Sequence, residues 1–151
     1  MPESNNIFGI GDIMKIEGEI KKGKKYWSVK VPLLLVNTQG KTKKDAFFMV
    51  KDAIELMIDK DGFEIDVHHG KNNYFSISSN NDAILIGFAL KQQRANYNLS
   101  IRDVVAKMGK KSVTAYTRYE NGAHKPNFEK MTEILKAINP VLEPTLKIGF
   151  S

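Results

Sequence analysis

The chain contains no cysteine, which excludes disulfide bonds and thiolate metal sites. No apolar run approaches the roughly 20 residues that a membrane-spanning helix needs. The first twelve residues also lack a basic segment followed by an apolar stretch, so they do not resemble a secretory signal. These absences lead us to expect a cytoplasmic protein without membrane attachment. Nucleophile triads and phosphate-cradling glycine loops are missing as well, and we therefore expect no enzymatic activity and no cofactor.

The basic residues are concentrated in one part of the chain. The formal net charge is +6, and the segment Leu99–Pro126 carries much of this excess. Its basic residues are Arg102, Lys107, Lys110, Lys111, Arg118 and Lys125, and its acids are Asp103 and Glu120. Such a cluster indicates a polyanionic partner, although a solvated lysine-rich surface would give the same composition.

The same segment has the pattern of a helix-turn-helix. Two short amphipathic stretches, Ser100–Met108 and Ser112–Asn121, meet at Gly109. Glycine tolerates the left-handed backbone with which a helix often ends, and the two serines occupy the N-cap positions of the helices that follow them. In this motif the second helix enters the major groove of DNA, so the charge cluster is better explained by DNA than by solvation.

A longer frame of residues surrounds this pattern and resembles the Xre-type helix-turn-helix of phage repressors. The matching residues are Arg94, Leu99, Ser100, Gly109, Ser112, Tyr119, Glu120, Gly122 and Pro126. The resemblance implies a structural ion pair between Arg94 and Glu120. The sequence departs from this frame in two places. Ile101 stands where glutamine is common, and the turn is one residue longer, with lysine in place of an apolar residue.

The resemblance also identifies residues that we expect to contact double-stranded operator DNA. Ser112 begins the recognition helix, whose outward face carries Val113, Thr114, Thr117 and Arg118. Arg118 is the best candidate for a bidentate bond to guanine, and the threonines and valine suit thymine methyl groups or phosphates. The expected backbone anchors are Ser100, Lys110, Lys111, Asn121 and Lys125.

The first half of the chain has the pattern of a small α+β domain. Polar and apolar residues alternate over Met14–Ile20 and Tyr26–Pro32, and Leu33–Val36 is a third apolar strand. Thr42 caps a helix whose buried stripe comprises Ala46, Met49, Val50, Ala53, Ile54, Met57 and Ile58. Phe63–Val67 is a strand or a loop, and Asn73–Ser78 is a strand. The predicted order is βββαβ, followed by an all-α helix-turn-helix domain.

Gly40, Thr42, Asp45 and Ala46 open that helix in a pattern that is similar to the HicB antitoxin family. The resemblance implies a partial RNase H-like domain that neutralises a small, mRNA-cleaving HicA-like toxin, in a homodimer or higher homo-oligomer that represses its own operon. A phage-type or metabolic repressor, whose first domain senses a ligand or only dimerises, is the alternative. The basic residues Lys41, Lys43 and Lys44 are unusual at a helix start, where acids are preferred.

The expected organisation is a flexible tail at residues 1–12, a HicB-like domain at 13–81, a helix-turn-helix domain at 82–139 and a tail at 140–151. The sequence does not decide whether the second tail forms an extra strand.

One acidic stretch is a candidate for a metal or nuclease site: Asp59, Asp61, Glu64 and Asp66, followed by His68 and His69. Two-metal nucleases gather carboxylates from several elements, whereas these lie in a single stretch. We therefore expect an exposed loop and no metal site.

Overall fold

The computed structural model describes residues 7–10, 13–141 and 146–148, and these residues form two compact units. The sheet unit contains the described residues up to Asn80 together with the strand at residues 146–148, and the helical unit contains residues 81–141. The fold is α+β, as the sequence predicted. No helix in the described part of the chain is long and apolar enough to span a bilayer.

The sheet unit is organised around its longest strand. Its elements are β1 (Ile7–Ile10), β2 (Ile13–Lys22), β3 (Trp27–Val31), β4 (Val36–Gly40), α1 (Lys43–Ile58), β5 (Ile65–His69), β6 (Tyr74–Ser79) and β7 (Leu146–Ile148). Strand β2 pairs antiparallel with β1, β3 and β6. Strand β4 extends the sheet beyond β3, β5 pairs with β6, and β7 lies parallel to β1.

Helix α1 packs against β3, β4 and β5. The buried positions on it are Ala46, Phe47, Val50 and Ile54, so the prediction of one buried stripe holds for only part of its members. Met49 and Met57 are 39% and 51% exposed. Met49 lies outside the buried stripe, whereas Met57 follows Val50 and Ile54 at helical spacing but lies in the last turn of the helix. The ring of Phe47, which the prediction did not include, contacts that of Phe75 at a centroid distance of 5.2 Å.

The turn into α1 explains why its first residues are required. The side chain of Thr42 accepts a hydrogen bond of 3.0 Å from the backbone N–H of Asp45, which is the predicted N-cap. A Cβ atom at Gly40 would collide with the backbone nitrogen of Ala46, so β4 and α1 can meet this closely only with glycine between them. The motif therefore has a structural purpose that is independent of any family.

Two predictions for the sheet unit were wrong in detail, the third strand and the first tail. Pro32–Leu34 is a buried 3-10 turn instead of the start of a third strand, because proline lacks the N–H that a sheet ladder needs and favours the first turn of a helix. Strand β4 begins only at Val36. The tail predicted at residues 1–12 includes strand β1, while residues 1–6 and 11–12 lie outside the described part of the chain. Likewise, β7 is the extra strand that was left open for the second tail, whose residues 142–145 and 149–151 are not described.

The helical unit consists of α2 (Asp82–Asn96), α3 (Ile101–Lys107), α4 (Thr114–Glu120) and α5 (Phe128–Ile138). Helix α2 packs against α4 and α5, and α3 packs against α4 and α5. The core side chains they share are Leu85, Leu90, Val104, Val105, Tyr116, Met131, Ile134, Leu135 and Ile138. Asn81 and Asn127 cap α2 and α5 with their side-chain oxygens, so each helix begins where a short polar residue satisfies its first N–H groups.

Candidate nucleic-acid interface

Helix α3 begins with a complete capping box. The Ser100 hydroxyl accepts from the Asp103 N–H at 3.0 Å, and the Asp103 carboxylate accepts from the Ser100 N–H at 2.8 Å. These bonds from Ser100 lower the pKa of Asp103 below its ordinary value. The predicted N-cap at Ser100 is therefore confirmed, and it fixes the direction in which α3 leaves the preceding loop.

The turn between α3 and α4 is built on Gly109, whose φ of +74° is left-handed. The N–H of Lys110 bonds back to the carbonyl of Val105 at 3.0 Å and closes the end of α3. All four residues from Gly109 to Ser112 are exposed. The side chains of Lys110 and Lys111 thus lie in solvent beside the start of α4, where they can reach a phosphate backbone.

The prediction that Ser112 is the N-cap of the second helix was wrong. Helix α4 begins at Thr114, and Val113 is its N-cap, with no side-chain cap. The Ser112 hydroxyl accepts only a long, 3.4 Å bond from the Thr114 N–H. Val113, with φ of −87° and ψ of −8°, already has helical dihedrals and occupies the N-cap position, so Ser112 lies one residue before it.

Three side chains form the exposed face of α4, namely those of Thr114, Ala115 and Arg118. Thr117 is half-buried, and its hydroxyl donates a 2.8 Å bond to the Val113 carbonyl, so its hydrogen is already used within the helix. Val113 is also half-buried. Ala115 was not among the predicted contacts, although its position one residue after Thr114 could have indicated it. We call Thr114, Ala115 and Arg118 the reading face.

Two of the predicted backbone anchors have partners inside the protein. Lys125 forms an exposed ion pair of 3.1 Å with Asp82 at the start of α2. The Asn121 side-chain oxygen accepts from the Ala123 N–H at 3.0 Å and shapes the turn after α4. Both residues are exposed, but each one has a structural role that could not be read from its position in the motif.

Arg94 and Glu120 form the predicted ion pair, which joins α2 to the end of α4. The Arg94 Nε donates to both carboxylate oxygens of Glu120, at 2.9 and 3.2 Å, and a terminal guanidinium nitrogen donates to the Leu99 carbonyl at 2.9 Å. The two side chains are only 17% and 8% exposed. The Glu120 hydrogen bond raises the pKa of Arg94. This pair is an internal brace that sets the position of α4.

The sequence pattern predicted no role for Gly87 beside this pair, and only a core position for Tyr116. A Cβ atom at Gly87 would lie 2.6 Å from the backbone oxygens of Tyr119 and Glu120, so glycine allows α2 to approach the end of α4. Tyr116 is buried close to the ion pair, and this burial, with the Glu120 charge, raises the pKa of its hydroxyl. The glycine was not predictable, because its need arises from a helix 32 residues away in the sequence.

The acidic stretch in the sheet unit runs from the end of α1 into β5, so Asp66, His68 and His69 lie on a strand and not in the predicted loop. Asp59, Asp61, Glu64 and Asp66 are exposed, and within the described ranges no group of three or more His, Asp or Glu side chains converges on one point. The His68 ring bonds the Ser78 hydroxyl at 2.6 Å, and its burial lowers its pKa.

Comparison with known families supports the helical unit alone. A family model described as helix-turn-helix matches residues 90–141, which span the end of α2 through α5. No curated protein matches the chain. A helix-turn-helix domain needs the features described above: the capping box at Ser100, the left-handed Gly109, the brace between Arg94 and Glu120 and the exposed reading face. The chain therefore carries an Xre/Cro-type helix-turn-helix domain, and it is a DNA-binding transcriptional regulator.

Proposed function

We propose that the chain is the antitoxin of a type II toxin–antitoxin pair. In this proposal the helical unit represses the chain's own operon, and the sheet unit binds and neutralises a small mRNA-cleaving toxin. Neither unit is assigned a catalytic role. The two functions rest on different observations and are tested separately.

The observation that carries the repressor function is the composition of the surface around α4. The side chains of Thr114 and Ala115 on the reading face are short, so the backbone of α4 can approach base edges closely. The long side chain of Arg118 extends from the same face. The exposed Lys110 and Lys111 stand at the start of the same helix, where they would neutralise phosphates. The brace between Arg94 and Glu120 holds this surface in place before DNA arrives.

Sequence-specific repression predicts a palindromic operator upstream of the chain's own gene, with half-sites one helical turn, or about 10 bp, apart. Fluorescence anisotropy with that upstream DNA should give at least about 1000-fold tighter binding than a scrambled duplex at the same salt concentration. Equal affinity for both duplexes would remove the repressor function.

The antitoxin function is supported by the core that the sheet unit has of its own and by its resemblance to HicB proteins at Gly40, Thr42, Asp45 and Ala46. Co-expression with the product of the neighbouring gene tests the function. A stable complex and rescue of growth are expected, and a neighbour that neither binds nor slows growth would contradict it.

A second candidate function is a repressor whose sheet unit binds a small ligand. It is favoured by a groove of about 620 Å³ that runs along β2, β3 and β4. Its lining combines apolar surface, as at Ile20 and Val29, with the polar residues Asn37, Thr38, Asn72 and Asn73. A metabolite that raises the melting temperature and changes DNA affinity would favour this function. The antitoxin function instead predicts that only the neighbouring protein has this effect.

A further inference from the structure

Lysine side chains from three connecting segments lie at one end of the sheet. Strand β2 ends at Lys22, which is the register partner of Trp27, and Trp27 is in turn the partner of Gly40 at the end of β4. The N–H of Ile20 bonds the Asn73 carbonyl at 2.8 Å, which brings the turn between β5 and β6 to the same end. We call the exposed lysines in and beside these three connections the lysine end: Lys21, Lys22, Lys24, Lys25, Lys41, Lys43, Lys44 and Lys71.

Two contacts show that lysines of different segments approach each other closely. The Nζ atom of Lys22 lies 6.0 Å from the centroid of the Trp27 ring, and the Nζ atom of Lys43 lies 5.9 Å from the same centroid. Attraction to the indole therefore holds together two ammonium groups that repel each other. A partner that supplies several negative charges would relieve this repulsion.

Few acidic groups balance the lysine end. Glu19 and Asp45 are the acids of the same segments. Glu19 forms an ion pair of 3.2 Å with Lys30, and Asp45 stands in the first turn of α1. Among the described residues, no acidic side chain forms an ion pair with any of the eight lysines. Eight lysines against two acids leave an excess of six positive charges, which equals the formal net charge of the whole chain.

The residue type indicates contacts to phosphates and not to bases. All eight side chains are lysines, and the first arginine of the chain is Arg94. The arginine fork suits the edge of guanine, whereas lysine is a point charge that neutralises phosphates of any sequence. Neighbouring strands are about 4.8 Å apart, so the three intervals from β4 through β3 and β2 to β6 extend over about 14 Å. This length corresponds to about four phosphates along one strand of B-DNA.

We propose that the lysine end binds the phosphate backbone of duplex DNA, so that the sheet unit adds a sequence-independent contact to the specific one made by the helical unit. Duplex DNA is the polyanion that a helix-turn-helix domain binds. Because both units belong to one chain, DNA held by the helical unit presents phosphates to the sheet unit at a high effective concentration. The inference rests on the proposed repressor function only in that the bound duplex supplies these phosphates.

Single-stranded RNA is the nearest alternative occupant, because unpaired bases stack on exposed aromatic rings. Tyr26 and Tyr74 are each 43% exposed near this end. The larger ring of Trp27 is half-buried with two lysines over it, and eight lysines outnumber the two exposed rings, which favours phosphate contacts. An anionic membrane is disfavoured, since stable attachment needs apolar insertion besides basic charge, and residues 21–26, 40–44 and 70–73 include no aliphatic side chain.

Fluorescence anisotropy of the full chain with a duplex that contains the operator and about one helical turn of DNA on each side tests this contact. The triple variant Lys24→Glu, Lys41→Glu, Lys71→Glu changes one exposed lysine in each connection. It should bind the operator and a scrambled duplex alike at least about tenfold more weakly at about 100 mM salt. The slope of log affinity against log salt concentration should fall by about two to three, because each lost phosphate contact removes about 0.9.

Matched variants separate the charge of this end from charge in general and from folding. The triple variant with arginine in place of glutamate keeps the positive charge and should keep the wild-type slope. Lys24→Glu and Lys60→Glu each change one exposed lysine of the sheet unit, but Lys60 follows the far end of α1, whose 16 residues extend over about 24 Å. Lys24→Glu should lower the slope by about one, and Lys60→Glu should leave it nearly unchanged. The circular dichroism spectrum should stay that of the wild type throughout.

An unchanged salt slope in the triple glutamate variant would overturn the proposal. Weaker binding of single-stranded RNA, or of the neighbouring gene product, with unchanged affinity for duplex DNA would also overturn it. The repressor function fails by a different result, namely equal affinity of the wild type for the operator and the scrambled duplex. If the triple variant still weakened binding to both duplexes in that case, the lysine end would remain a DNA contact.

Discussion

Removal of the Arg94 guanidinium should destabilise the helical unit by about 3–5 kcal/mol, because it leaves the Glu120 carboxylate buried without its partner. The size of the effect follows from the contacts. Glu120 is only 8% exposed, and Arg94 also bonds the Leu99 carbonyl at 2.9 Å, where the chain turns from α2 to α3. For a unit of this size, each kcal/mol lowers the melting temperature by about 4–8 °C. Arg94→Ala should therefore melt at least about 12 °C below the wild type.

Urea unfolding followed by circular dichroism measures this difference directly. Lys91→Ala is the control, since Lys91 is an exposed basic residue on the same helix, and it should change the free energy of unfolding by less than about 0.5 kcal/mol. The double variant Arg94→Met, Glu120→Leu should recover most of the loss, because no unpaired charge remains in the interior. A cost below about 1 kcal/mol for Arg94→Ala, or a double variant less stable than the single one, would refute the role of the pair as a brace.

Three further predictions concern DNA reading, helix packing and pH. Arg118→Ala should reduce the preference for one base pair by about 1–3 kcal/mol. Lys111→Ala should instead weaken the affinity for every DNA sequence alike and reduce the slope of log affinity against log salt concentration by about one. Anisotropy titrations at several salt concentrations would separate the two effects, and equal effects would contradict the roles given to the two residues. Gly87→Ala should cost about 1–3 kcal/mol in urea unfolding, because the new methyl group meets backbone oxygens at 2.6 Å; an unchanged midpoint would show that α2 and α4 can separate at no cost. Burial lowers the pKa of His68 from its ordinary value of 6.5, so the unfolded chain binds more protons than the folded one. The stability that His68 contributes is therefore present above pH 6.5 and is lost as the pH falls through the lower pKa of the folded state. His68→Gln should reduce the slope of the free energy of unfolding against pH on the acid side, and an unchanged slope would show that other groups cause it.

Local hydrogen bonding made several features predictable from sequence. Thr42 and Ser100 are N-caps because each bonds an N–H three residues ahead, and such a bond depends on few other parts of the molecule. Gly109 could be identified for the same reason, since its left-handed backbone is required by the turn alone. The prediction for Ser112 was wrong because α4 begins two residues later, at Thr114, and the identity of one serine does not determine where a helix begins.

Features that depend on contacts between distant residues could not be predicted. The burial of Phe47 depends on its contact with Phe75 on β6, and the periodicity of α1 alone assigned Met49 to the buried stripe although it is 39% exposed. The requirement for Gly87 comes from the backbone of α4. On the reading face, the residue types were apparent in the sequence, but the internal bond of Thr117 and the ion pair of Lys125 were not. The general motif could therefore be recognised, whereas the availability of individual side chains could not.

The parallel pairing of β7 with β1 has a consequence for biosynthesis. Ile7 and Leu146 are register partners, so every residue of the helical unit is made after one of these strands and before the other. The whole helical unit must therefore leave the ribosome before β7 can pair with β1. A growing chain would then hold an open β1 edge until Leu146–Ile148 has left the ribosome, and during that time the edge is available for pairing with another strand.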